Sequence, residues 1–355
     1  MKKVLVAAGC IVFSVMSASK AVAADLDFSQ FFVFGDSLSD TGNTSAATGG
    51  TIPVPKTTLE QPAYFQGLPS QGSLSQGRFS NGPIWVDYLS QEIGKQPTPF
   101  LLSSLGTQGG VNYASGGAQT GEKSRFPGLA GDIPGVLGQA ILFSQQTNVP
   151  VDSNGIYSIF GGSNDYFFGN RNVSEVVKNL TDSIGLLAQK NAKNFLVFNL
   201  PDIGETPFAK RQGVAATQVL NGLVQEHNKQ LALAVDNLRS VNPQLNIYSV
   251  DINTLFRSAS SNPAAFGLTN VSDACITGNF QLATNVCDEP DKFLFFDDVH
   301  PSSAAHRFIA DAALASIRSG NKSIPEPSMG LGLLTLASLG AVRVVKRKNK
   351  KLVLK

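Results

Sequence analysis

Phe31-Phe32-Val33-Phe34-Gly35-Asp36-Ser37-Leu38 sets an unbroken apolar run against a glycine and a short polar turn. A run this short, rich in aromatic and β-branched residues and closed by a turn signal, predicts a strand buried on both faces. Ile156–Phe160, Phe195–Leu200 and Ile247–Val250 have the same form, and Val111–Ala114 predicts one more strand. Helical periodicity lies between and after them, over Ile84–Ile93, Val136–Phe143, Val173–Leu187, Val214–Leu238 and Ala304–Ile317. The longest of these places Leu220, Leu223, Val224, Leu231, Val235 and Leu238 along one face. Strands alternating with helices specify an α/β fold: a parallel sheet of about five strands, covered on both sides, with ligands at the carboxyl ends of the strands. Gly42–Gly77 is rich in Ser, Thr, Gln, Gly and Pro without a clear period, and reads as a long functional loop.

Ser37 stands where such a sheet exposes reactive groups, with Gly35 allowing a sharp turn beside it. A serine hydroxyl becomes a nucleophile only beside a base, and the chain has three histidines. His227 falls on the apolar stripe of its helix and reads as a core residue; His306, in a helical pattern after Ala304-Ala305, reads as exposed or capping. His300 differs. It belongs to Phe295-Phe296-Asp297-Asp298-Val299-His300-Pro301, where Asp297, three residues earlier, can accept the ring N–H and fix the tautomer. Pro301 keeps His300 extended and can open the helix that follows. Asp298 is the alternative acid. An acyl-transfer site also needs donors for an oxyanion. Asn112-Tyr113-Ala114-Ser115-Gly116-Gly117-Ala118 and Gly161-Gly162-Ser163-Asn164-Asp165 supply backbone N–H groups and a side-chain amide after two further strands.

Together these blocks resemble the SGNH/GDSL hydrolases, named for their Ser, Gly, Asn and His. The strings GDSLSDTGN (35–43), GRFSNGPIWVDYL (77–89), NYASGGA (112–118), NLPDIGETP (199–207) and GLTNVSDAC (267–275) are similar to its long subgroup of esterase/lipases and phospholipase/lecithinase-type enzymes. The resemblance covers roughly residues 28–318. It implies a flavodoxin-like three-layer sandwich and an ester hydrolase that works without metal or organic cofactor. It also implies that Ser37 is the nucleophile, His300 the base and then acid, and Asp297 its orienting carboxylate. The backbone N–H groups of Ser37 and Gly117 and the side chain of Asn164 would form the oxyanion hole, Gly117 being preferred to Gly116 for its spacing from Asn112.

The 355 residues fit one catalytic domain of about 250–300 residues with a segment at each end. With 42% hydrophobic and 15% charged residues the chain is too apolar for intrinsic disorder. Its net charge of +2 hides an uneven distribution. Residues 1–24 carry three lysines and residues 329–355 seven basic residues, with no acid in either. The body therefore holds 18 basic and 26 acidic residues, a net charge near −8, which predicts no nucleic-acid partner.

Lys2-Lys3, the apolar run Val4–Met16 and Ala21-Val22-Ala23 form a secretory signal peptide pattern over residues 1–24. After the domain at 25–320, residues 321–355 order Pro325-Glu326-Pro327, the apolar run Met329–Val345 and a basic end from Lys346. About 17 apolar residues can just span a bilayer core. This order resembles the PEP-CTERM sorting signal of bacterial envelope proteins, and implies a sorting machinery as partner and a location at the cell envelope or surface; the alternative is a permanent single-helix anchor. Cys10 goes with the signal peptide, so Cys275 and Cys287 form an even pair in an oxidising compartment, which suggests a disulfide.

Rival chemistries lack their residues. No Gly-x-Ser-x-Gly string marks an α/β-hydrolase, and no His-Glu-x-x-His spacing marks a zinc hydrolase. A surface-displayed binding module on the same fold would not need Ser37, Asn164 and His300 together. The acyl group is left open: lipid, small aliphatic and polysaccharide O-acetyl esters all fit the same constellation.

Overall fold

The computed structural model describes residues 26–53, 77–125, 131–146, 151–278 and 283–320. The segments 1–24 and 321–355, expected to be a signal peptide and a sorting tail, and most of the long loop, lie outside them. Six parallel strands form the central sheet: β1 (Phe31–Gly35), β2 (Thr98–Pro99), β3 (Val111–Asn112), β4 (Ile156–Phe160), β5 (Asn194–Phe198) and β6 (Asn246–Val250), in the order β2-β3-β1-β4-β5-β6. The sequence predicts five of them. β2 escapes because two residues, one a proline, carry no alternation. Regular pairing in β3 ends at Asn112, whose own side chain takes Ala114 N–H at 2.9 Å, while Tyr113 N–H still reaches the Val33 carbonyl of β1 at 2.7 Å.

Every residue of β1 is buried, and the reason lies in the twofold period of a strand. Phe31 points to one face, its ring 6.1 Å from Trp85. Phe32 and Phe34 point to the other, against Phe143 at 5.1 and 5.8 Å. On the first face lie α2 (Trp85–Ile93) and α9 (Ser303–Ser319), packed on each other. On the second lie α3 (Val136–Gln145), α5 (Val173–Gln189) and α7 (Val214–Val241). The result is a three-layer α/β sandwich. Shorter helices α1 (Asn43–Ala47), α4 (Ser163–Phe167) and α6 (Pro207–Arg211) follow the carboxyl ends of β1, β4 and β5, and α8 (Ile252–Ser261) follows β6.

The chain leaves β1 for β2 and then β3 on one side, and crosses from β3 to β4 on the other. The strand order reverses there, so a crevice opens at the carboxyl end of β1, the place where such sheets bind ligands. Ser37 begins the turn out of that strand.

Two local expectations are corrected. The loop predicted from Gly42 starts with the helix α1, at whose start the Asp40 carboxylate gathers the N–H groups of Gly42, Asn43 and Thr44. His306 is fully buried, not exposed, in the stripe it shares with Ile309, Ala310 and Ala313. Cys275 and Cys287 are joined in a disulfide that closes the pair Ile276–Gly278 and Ala283–Val286.

Candidate active site

Ser37 and His300, 263 residues apart, meet at the carboxyl end of β1: Ser37 Oγ lies 2.8 Å from His300 Nε2. The other ring nitrogen, Nδ1, lies 2.7 Å from Asp297 Oδ2. The second oxygen of Asp297 accepts the N–H groups of Val299 and His300 at 2.9 and 2.7 Å. One carboxylate thus folds the loop and holds the imidazole. The carboxylate of Asp298 points elsewhere, into an ion pair with Arg211. The Phe79 ring stands 5.1 Å from the His300 ring, and Ser80 Oγ donates to the Pro301 carbonyl at 2.9 Å.

Asp40 and Thr44 join the serine turn to the loop after β3. Gly116 N–H lies 2.8 Å from Thr44 Oγ1 and 3.1 Å from Asp40 Oδ2. A Cβ on Gly116 would stand 2.5 Å from the Phe79 ring. The Gly116 N–H is therefore committed inside the protein. Gly117 follows in the left-handed region at φ 78°, and among the described residues no group takes its N–H. Asn164, on α4, donates one amide hydrogen to the Ala118 carbonyl at 3.0 Å, leaving the second hydrogen of that amide unspent. Ser37, Asn164 and His300 line one cavity, walled by Phe160, Phe256 and Phe295 among others. Gly117 is not among its lining residues.

Carboxyls around the site are displaced from their ordinary range. Burial pushes Asp36 up to about 7, against its bond from Leu38 N–H and the nearby His300 charge. Burial also pushes Asp165 up to about 6, although Thr120 gives it both its N–H and its hydroxyl at 2.9 Å. Among the described residues no three His, Cys, Asp or Glu side chains gather so as to hold a metal ion, and no helix is long and apolar enough to cross a membrane.

Some contributors to the site escape the sequence reading. Arg78 and Asp87 form a buried, two-bond ion pair at 2.9 and 2.6 Å, and Asp87 also caps α2 through Ile84 N–H. Gln139, wholly buried on α3, binds both backbone groups of Gly35 at 2.8 Å. A carboxamide in line with Val136, Ala140 and Phe143 was the available signal.

A model of GDSL-like lipase/acylhydrolases matches residues 31–313. The chain belongs to this family. It is similar to a GDSL esterase/lipase of Arabidopsis thaliana, 27% identical over 82% of this chain and 88% of the relative. A thermolabile hemolysin of Vibrio parahaemolyticus is 26% identical over 79% of this chain and 62% of the relative. A phosphatidylcholine-sterol acyltransferase of Aeromonas hydrophila is 28% identical over 77% of this chain and 71% of the relative. As a member of the GDSL family the protein is an ester-hydrolysing enzyme.

His227 is the core histidine that its helical position predicts. It is fully buried, with Nδ1 2.8 Å from the Tyr166 hydroxyl. Burial holds the ring neutral, its pKa lowered from 6.5 to about 3. The unfolded chain binds this proton below about 6.5 and the folded chain does not. The stability this neutrality preserves is therefore complete above that pH and is lost as pH falls from there toward 3. Between pH 7 and pH 5 the wild type should lose about 2 kcal/mol of unfolding free energy relative to His227→Gln. Denaturant titrations at the two pH values check this; parallel changes in the two proteins would contradict it.

Proposed function

We propose that the chain is an exported serine esterase/lipase that cleaves carboxylic esters through an acyl-enzyme. The 2.8 Å approach of Ser37 Oγ to His300 Nε2 is the observation that carries this reading. His300 Nε2 takes the hydroxyl proton as Ser37 Oγ attacks the carbonyl carbon, and Asp297 stabilises the imidazolium through Nδ1. The carbonyl oxygen becomes an oxyanion facing the N–H groups of Ser37 and Gly117 and the second amide hydrogen of Asn164. His300 then gives its proton to the leaving alcohol. In the second half, water attacks the acyl-enzyme with His300 as base, and Ser37 is restored.

Asn164→Ala should lower kcat by roughly 10²–10³ with KM little changed, because the missing donor serves charge that develops only in the transition state. Steady-state kinetics on one good ester decides this; a loss confined to KM would move Asn164 out of the oxyanion hole. The wider reading is tested by a panel of p-nitrophenyl esters from acetate to long acyl chains, together with acetylated polysaccharide. Turnover of acyl esters supports the esterase/lipase reading. Turnover of the polysaccharide alone would make the enzyme an O-acetylesterase, and silence throughout would leave a binding module on the same fold. Export and sorting through residues 1–24 and 321–355 are part of this proposal, tested by the intact mass of protein recovered from the cell surface.

A further inference from the structure

The sheet is incomplete at the point that matters most for the serine turn. Gly35 is the last residue of β1, and on its β4 side it is matched by Phe160. On the other side β3 has ended at Asn112, so the Gly35 N–H meets no backbone carbonyl there, and the Gly35 carbonyl meets only the long bond from the chain that continues β3. Gln139 fills the gap. Its Oε1 accepts the Gly35 N–H at 2.8 Å and its Nε2 donates to the Gly35 carbonyl at 2.8 Å. The same carbonyl also accepts Ser115 N–H at 3.2 Å, at the start of the glycine pair. A primary carboxamide offers one acceptor and two donors in a plane, as a peptide group offers one of each, so Gln139 replaces the missing strand residue.

The carboxamide is held in place by the way α3 begins. The first N–H groups of a helix have no partner within it. Here Gly135, Val136, Leu137 and Gly138 donate theirs to the carbonyls of Glu122, Gln119, Thr120 and Gly121. A Cβ on Gly138 would stand 2.0 Å from the Glu122 carbonyl, so only glycine allows this approach. Residues 119–122 continue directly from the Gly116–Ala118 loop. Gln139 thus ties three things to one point: the nucleophile turn, the glycine pair and the backbone that leads from it.

We propose that Gln139 is a positioning residue for the reaction, which sets Ser37 and the Gly117 donor in register through Gly35. The inference rests on the serine mechanism proposed above, and its test separates the two. Gln139→Met keeps the volume and removes both bonds; Gln139→Glu keeps the acceptor and, when ionised, sets a carboxylate against the Gly35 carbonyl. The titratable groups around this point are Asp36, next to Gly35 in the chain, Asp165, bound to Thr120, Asp40, bound to Gly116 N–H, and His300; all remain in the variants, and the ratio of Gln139→Met to wild type over the same pH range, in a variant that adds no charge, is the control for them.

The measurements are kcat, KM and the rate at which a fluorophosphonate ester labels Ser37, each on protein shown to be folded by circular dichroism. Gln139→Met should lower kcat and the labelling rate roughly 10- to 100-fold with KM nearly constant, the scale expected when reacting groups move by about 1 Å. Gln139→Glu should be slow at pH 8 and approach wild type, as a ratio, toward pH 5.5, because a protonated carboxyl can again donate to Gly35. Wild-type kcat and labelling in folded Gln139→Met, with only thermal stability reduced, would overturn the inference. So would a ratio for Gln139→Glu that does not change with pH. Should Gln139→Met not fold, the pH response of Gln139→Glu decides the matter by itself. A wild type that Ser37 labelling leaves untouched would instead overturn the serine mechanism.

Discussion

Replacing Ser37 with alanine is expected to lower kcat for a good ester by about 10³- to 10⁶-fold while the protein stays folded. The size follows from what is lost. The acyl-enzyme cannot form without Oγ, and only the oxyanion donors and binding remain to assist a direct attack by water. Structure should change little, because among the described residues Ser37 makes one side-chain bond, to His300, and Asp297 holds that ring from the opposite nitrogen. The measurement is kcat with circular dichroism and thermal melting on the same sample. Activity within tenfold of wild type would remove Ser37 from the reaction.

Asp297→Asn should come close to that effect, about 10³–10⁴ in kcat, by a different route. Asp297 presents acceptors to three donors, the N–H groups of Val299 and His300 and the ring Nδ1–H. An asparagine has only one acceptor oxygen. If that oxygen stays with the two backbone N–H groups, its NH₂ faces Nδ1, which must then accept. The ring proton moves to Nε2, the nitrogen that has to receive the Ser37 proton. If the amide turns over, the loop loses both backbone anchors. Either outcome disables the base without touching the nucleophile or the oxyanion donors. Asp298→Asn is the control: it breaks the ion pair with Arg211 and leaves the imidazole supported, so its kcat should stay within a few-fold of wild type. Equal losses in the two variants would contradict the assignment of Asp297.

The residues proposed to react were legible because the chemistry they would carry is written in residue type and local spacing. Three histidines leave few choices of base, and Asp-x-x-His on a loop before a proline describes a carboxylate that can reach its own histidine. The sheet was legible for a related reason: a strand buried on both faces is apolar over most of its length, and β1, β4 and β5 are, with Ser158 and Asn194 the polar exceptions. What the sequence did not expose are partnerships across long separations. Nothing near Gln139 indicates a backbone group 104 residues away, and nothing near Arg78 indicates that Asp87 will cap a helix and neutralise a buried guanidinium at once. In α8, a Ser- and Asn-rich stretch obscures the helical stripe of Ile252, Leu255, Phe256 and Ala259, which the Asp251 cap and burial establish. His306 carried a readable signal, since its spacing to Ile309, Ala310 and Ala313 is that of a buried helix face.

Ester cleavage by this mechanism requires Ser37 to be the one activated hydroxyl of the molecule. Incubation of the wild-type enzyme with a fluorophosphonate ester, followed by intact mass and peptide mapping, should give a single phosphonyl adduct on Ser37, formed in step with the loss of esterase activity. An active enzyme that takes up no adduct, or that carries it on another residue while Ser37 stays unmodified, would contradict it.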